Sequence, residues 1–302
     1  MSLDQLLQDI HEGKQVSHAA LTHLSGLGVE EANQVGRFWT RVPAERRRTV
    51  VDRMVELAED SVDLDFSTVF KLCLRDSDEQ VRQKAIAGLW ECEDRTLIPR
   101  LVELLRGDPS VEVQAAAAIG LGKFAQLAVE GNLLEKHQKR VETALLEVLR
   151  QPEGAVEVRR RALEALAPFN TPEVQEFIQK AYEGDHAALR CSAIYSMGKS
   201  ADPRWFSVLV RELRSSDSAV RYEAANACGE LGTEEAVAHL APLVRDEDYQ
   251  VQLAAIQACG RIGGRQAKRL LQSHLSSSDQ GIVEAVEEAL RQMNLEDDIV
   301  GP

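Results

Sequence analysis

The residues of this sequence that could do chemistry fall into two sets, one regularly spaced and one scattered. Arg82, Arg159, Arg190 and Arg221 share one register, and Asp78, Asp217, Asp248 and Asp279 share another four residues earlier. Such a stripe could grip a charged ligand. Asp is also a favoured helix N-cap, however, and Arg pairs well with carboxylates. The reading adopted is a structural ladder: each Asp caps its own helix, and an Arg from an adjacent segment pairs with it. The basic runs Arg46-Arg47-Arg48 and Arg159-Arg160-Arg161 read as solvated helix faces, with docking of an acidic or phosphorylated partner as the alternative.

The scattered set is weaker. Seven histidines share no pattern, and the sole His-Glu step is His11-Glu12. No GxGxxG, P-loop, HExxH or GxSxG run occurs, so the commonest phosphate, zinc and acyl-transfer signatures are missing. Five cysteines, Cys73, Cys92, Cys191, Cys228 and Cys259, contain no CxxC pair and suit a reduced, cytosolic protein. Cys228 and Cys259 read as small core fillers.

Those side chains must be positioned by elements, and composition limits which ones. With 35 Lys and Arg against 49 Asp and Glu, the net charge of −14 disfavours a general nucleic-acid binder. No apolar stretch approaches the ~18 residues of a membrane span. The acidic start MSLDQLLQDIHEGK gives no expectation of a signal peptide.

An internal period supplies the elements. Val81, Val113, Val158, Leu189, Val220, Val251 and Ile282 head similar blocks, the last five in strict steps of 31 residues, and a degenerate copy begins at Val50. Four residues on from the first six stands Ala: Ala85, Ala117, Ala162, Ala193, Ala224 and Ala255. Apolar residues within each block recur at helical spacing, and a small residue at a fixed place lets a neighbouring helix approach closely. A second, shorter amphipathic segment precedes each block, such as Leu97–Arg106 or Arg204–Leu213. Polar turns such as GDPS and SSDS separate the segments, and no alternating strand pattern appears. Each unit is therefore a helical hairpin that buries its apolar face only by stacking. The expectation is an all-α, right-handed solenoid of about eight stacked hairpins over 29–293. Residues 1–28 form a cap of two short helices, an insertion falls at about 125–140, and an acidic tail over 294–302 frays.

The run DSAVRYEAANACG from Asp217 to Gly229 resembles the HEAT repeat, in the short form found in phycobilisome-lyase-type bacterial proteins. That resemblance implies a scaffold or adaptor whose second helices line a concave face. On that face the positions two, six and ten beyond each heading residue point outward. They include Arg160, Glu164, Tyr195, Lys199, Tyr222, Asn226, Glu230, Gln257 and Arg261. Tyrosine and arginine mixed with hydrogen-bonding groups suit protein recognition. Related HEAT-type hydroxylases that bind two irons need several His-Glu pairs, which this sequence lacks. DNA-binding relatives have strongly basic concave faces, from which this acidic chain departs. Lyase relatives handle bilins, which singles out Cys191, on the outward side of its helix, as a candidate reactive thiol. The reading is a cytoplasmic, non-enzymatic scaffold that needs no cofactor or metal and binds protein partners, with neither nucleic acid nor membrane as a target. The alternative is a subunit of a chromophore- or cofactor-handling, bilin-lyase-like complex.

Overall fold

The computed structural model describes residues 2–293, with the last helix bounded at Val300; the tail expected to fray at 294–302 lies outside the described residues. The chain divides into two compact units, 1–165 and 166–302. The first contains α1 (Leu3–Glu12), α2 (His18–Leu21), α3 (Val29–Trp39), α4 (Ala44–Asp60), α5 (Ser67–Cys73), α6 (Glu79–Gly88), α7 (Ile98–Gly107), α8 (Val111–Val129) and α9 (Glu135–Leu149), and α10 (Val156–Leu166) closes it. The second contains α11 (Pro172–Glu183), α12 (Ala187–Lys199), α13 (Phe206–Glu212), α14 (Ser218–Leu231), α15 (Ala236–Leu240), α16 (Tyr249–Ile262), α17 (Gly264–Gln272) and α18 (Gln280–Val300). The fold is all-α, with stacked helical hairpins in each unit and no strand among the described residues. No helix among them is long and apolar enough to cross a membrane.

Capping sets the helix starts. Asp78, Asp217 and Asp248 are the N-caps of α6, α14 and α16, and each accepts backbone N–H groups of its first turn. Asp279 likewise accepts from the Gly281 and Ile282 amides. Pro172 opens α11, where its missing N–H costs nothing. The expected insertion is taken up by lengthening: α8 runs 19 residues and α9 runs 15, joined by a short turn.

Packing follows the period. All six register alanines, from Ala85 to Ala255, are fully buried. Successive second helices stack on one another, α4 on α6 on α8 in the first unit and α12 on α14 on α16 on α18 in the second. In the second unit the stacking is close because glycine faces alanine at each of its three steps. A Cβ on Gly198 would lie 2.6 Å from the Ala227 Cα, one on Gly229 2.8 Å from the Ala258 Cα, and one on Gly260 2.9 Å from the Ala289 Cβ. Gly122 meets Ala165 in the same register within the first unit. Cys228 and Cys259 are buried fillers, and burial pushes both thiols up to about 12.

The arginine ladder forms, but with a different partner from the one the spacing suggests. Arg82 grips Asp108 with two bonds of 2.7 Å, and Arg221 grips Asp246 with bonds of 2.8 and 2.7 Å. Neither carboxylate is the cap; each stands two residues before it and accepts the amide of the capping residue, Ser110 or Asp248. The arginine reaches this earlier Asp because its remaining donors close on two carbonyls of its own turn, Asp76 and Ser77 for Arg82, Ser215 and Ser216 for Arg221. Arg47 reaches Asp76 through a single bond of 2.8 Å, with its other donors on the Val42 carbonyl and the Ser77 hydroxyl. Arg48 does engage a helix cap directly, pairing with Asp78. Arg190 turns instead to Glu212 at 3.0 Å, and Arg159 to the Pro152 carbonyl.

One ion pair has a pH signature. Lys71 donates to Asp94 at 2.6 Å, and Asp94 also accepts the Thr96 amide. The Lys71 hydrogen bond, with smaller help from Thr96, outweighs burial and lowers the Asp94 carboxyl from 3.8 to about 2. A depressed carboxyl stabilises the fold above its unfolded pKa and ceases to do so as pH falls through the folded one. Wild type should therefore exceed Asp94→Asn in stability by about 0.5–1 kcal/mol at neutral pH, a modest value because the pair is partly exposed. Denaturant melts of both proteins should show that difference shrinking between about pH 4 and pH 2, the span of the two pKa values. A difference that persists unchanged at pH 2 would contradict this assignment.

Candidate functional site

The outward positions of α12, α14 and α16 converge. Tyr195, Lys199, Tyr222, Asn226, Glu230, Gln257 and Arg261 all line one open groove of about 390 Å³, together with Glu223 and Ala227. Helical periodicity explains the convergence: positions two, six and ten of one helix share a face, and the glycine-alanine contacts bring the three helices close enough for those faces to merge. Two tyrosines stand up from the groove, Tyr195 at 36% and Tyr222 at 37% exposure.

The polar groups of the groove are arranged in pairs across the repeats. Lys199 bonds Glu230 at 2.9 Å, as their positions one period apart allow, and its ammonium lies 6.0 Å from the Tyr195 ring centre. Arg261 donates to the Asn226 side-chain carbonyl at 3.1 Å and lies against Gly229, where the missing Cβ leaves room for its guanidinium. Two cations and two carboxylates line the groove, so its charge balances. The surface offers rigid rings and hydrogen-bonding groups without a strong field of either sign.

The other two predicted residues sit elsewhere. Arg160 and Glu164 belong to α10, in the first unit, and do not line this groove. Both join a local network on that helix, in which Arg160 bonds Glu157 at 2.7 Å and Arg161 bonds both Glu157 and Glu164. Cys191 is half-buried on α12.

Sequence reasoning missed a second surface. In the first unit Ile86, Trp90, Leu101, Ile119 and Phe124 line an apolar groove of about 200 Å³, with Trp90 60% and Ile119 41% exposed. The signal was present in the register. Ala87 and Ile119 occupy the sixth position, where α14 and α16 carry Asn226 and Gln257, and Trp90 occupies the ninth, where the second unit has glycine.

Among the described residues, no three His, Cys, Asp or Glu side chains converge on a site that could hold a metal ion. His11, of the one His-Glu step, packs edge-on against Phe38 with ring centres 5.6 Å apart.

Comparison with known proteins places these features in a family. Residues 67–140, 141–217 and 206–291 each match the HEAT-repeat family. Over 105 residues the chain is 30% identical to a deoxyhypusine hydroxylase of Drosophila pseudoobscura pseudoobscura, and it spans about a third of that curated relative's length. The solved complex of CpcE and CpcF of phycocyanin lyase from Nostoc is similar over 94% of this chain and 96% of that one, with 18% identity and a TM-score of 0.47. Importin beta is similar over 96% of this chain and 46% of its own, with 14% identity and a TM-score of 0.49. The hydroxylase match corrects one expectation. An enzyme shares this repeat sequence at 30% identity, so the repeats give no ground for calling the chain non-catalytic.

Proposed function

Because this chain belongs to the HEAT-repeat family, we propose that it is a scaffold that binds a protein partner in the α12–α14–α16 groove, in the cytoplasm. The observation that carries this reading is the merging of Tyr195 and Tyr222 into one groove of balanced charge. Tyrosine brings a large contact area with few rotors to freeze, and such residues dominate the binding energy of many interfaces. The five free cysteines support a reducing compartment.

Both rings face solvent, so the double replacement Tyr195→Ala, Tyr222→Ala should change stability by less than about 1 kcal/mol. Loss of a hot spot should weaken partner binding by at least about 2 kcal/mol, roughly thirtyfold. Affinity capture with wild type and the double variant, followed by titration of the recovered protein, measures both. Unchanged affinity would move the interface off this groove, and marked destabilisation would mean that the tyrosines serve packing.

A second reading, action on a bound protein as an enzyme, is favoured by the hydroxylase likeness alone. It predicts that the recovered partner returns with altered mass after incubation with the chain. An intact mass unchanged over time would remove it.

A further inference from the structure

Of the run Arg46-Arg47-Arg48, two arginines are consumed by structure: Arg47 binds Asp76 and Arg48 binds Asp78. Arg46 is not, and among the described residues its side chain has neither a carboxylate partner nor a hydrogen bond. It lines a cavity of about 260 Å³ between α4 and the chain that links α1 to α2. Arg46, Thr49 and Arg53 follow one another at three and four residues, which is one face of α4, and all three line this cavity. Lys14 and Gln15 face them from the other wall.

The charges of this cavity are unusual for a chain of net charge −14. Lys14 is already neutralised, by Asp9 at 2.8 Å and Glu12 at 2.9 Å. The two guanidiniums are not. The Arg53 side chain donates to the Val16 carbonyl at 2.6 Å, and among the described residues this is that side chain's one hydrogen bond. The Arg46 guanidinium rests against Gly13, whose φ of +81° and lack of Cβ both make room for it. The floor is apolar and closed, formed by Ile10, Leu21 and Val50, each less than a tenth exposed. A low-dielectric floor under two guanidiniums that lack a carboxylate strengthens their pull on an anion.

We propose that this cavity is a binding site for a phosphate dianion, either inorganic phosphate or a phosphomonoester. Two guanidiniums match two negative charges, and each fork can bond a pair of phosphate oxygens. The Gln15 amide adds a neutral donor from the facing wall. The site is separate from the α12–α14–α16 groove and does not depend on its assignment.

The test is a thermal-shift titration of the full chain with inorganic phosphate and, in a second arm, O-phosphoserine, at constant ionic strength set by chloride. Wild type should show a saturable rise in Tm, because a ligand that binds only the folded state stabilises it by mass action. Arg46→Gln breaks no hydrogen bond of the free protein. It should fold normally and weaken the apparent affinity by about tenfold or more, the loss of a charged hydrogen bond. Arg48→Gln removes the same charge outside the cavity and should leave the affinity unchanged. A response to phosphate alone assigns a free-anion site, and a response to both assigns recognition of a phosphorylated group. No saturable shift in wild type, or equal weakening by Arg48→Gln, would overturn the proposal.

Discussion

Arg82→Ala should be among the most damaging single substitutions in the chain, lowering stability by about 3–5 kcal/mol. The Arg82 and Asp108 side chains are only 8% and 4% exposed, so the replacement leaves a buried carboxylate with no cation beside it. It also frees the carbonyls of Asp76 and Ser77, which Arg82 ties down. The hydrogen bond to Asp108 raises the Arg82 pKa, so the guanidinium keeps its charge. Chemical denaturation of wild type, Arg82→Ala, Asp108→Ala and the double variant tests this as a cycle. The double variant should cost clearly less than the sum of the singles, because it removes the stranded charge as well as the bond. Additive losses would mean that the two residues act independently, against the bidentate geometry.

Gly198→Ala should cost about 2–3 kcal/mol, an unusual penalty for adding one methyl group at the end of a helix. The obstacle is backbone: the new Cβ would lie 2.6 Å from the Ala227 Cα and 2.8 Å from its Cβ, and no side-chain rotation relieves that. To accept it, α12 and α14 must move apart, which loosens the groove they share. The same change at Gly107, where a Cβ would meet nothing within 4 Å, is the control and should stay within about 1 kcal/mol of wild type. If Gly198→Ala melted like the control, the close approach of these helices would be wrong.

The fold was legible because the same physics acts at each repeat. Valine at the head, alanine four residues on and aspartate at the cap each satisfy one requirement of a buried, capped helix, so their recurrence spelled out the hairpins. The groove was legible for the same reason, since Tyr195 and Tyr222 lie on faces that helical geometry alone brings together. The carboxylate that each ladder arginine binds was not. Caps recur in nearly every repeat, whereas Asp76, Asp108 and Asp246 occupy their register only where an arginine needs them, and elsewhere it holds Glu153, Gly184, Ser215 or Ser277. The apolar groove beside Trp90 escaped because its position departs from the period, and a search for regularity passes over a single tryptophan among glycines. The cavity beside Arg46 was hidden in a triplet of identical residues whose fates only three-dimensional packing separates.

The arginine bonds also have a direction. In Arg47 to Asp76, Arg82 to Asp108 and Arg221 to Asp246, the cation always lies earlier in the chain than the carboxylate it binds. An end that has lost its last repeat is left with a guanidinium still held by backbone carbonyl oxygen, and an end that has lost its first with a carboxylate still held by an amide. The two ends of such an array are therefore chemically different. During synthesis, when earlier segments fold first, each new turn meets an arginine already oriented by the turn before it. Growth from the amino end is templated at these three junctions, whereas growth from the carboxyl end would have to wait there for its cation.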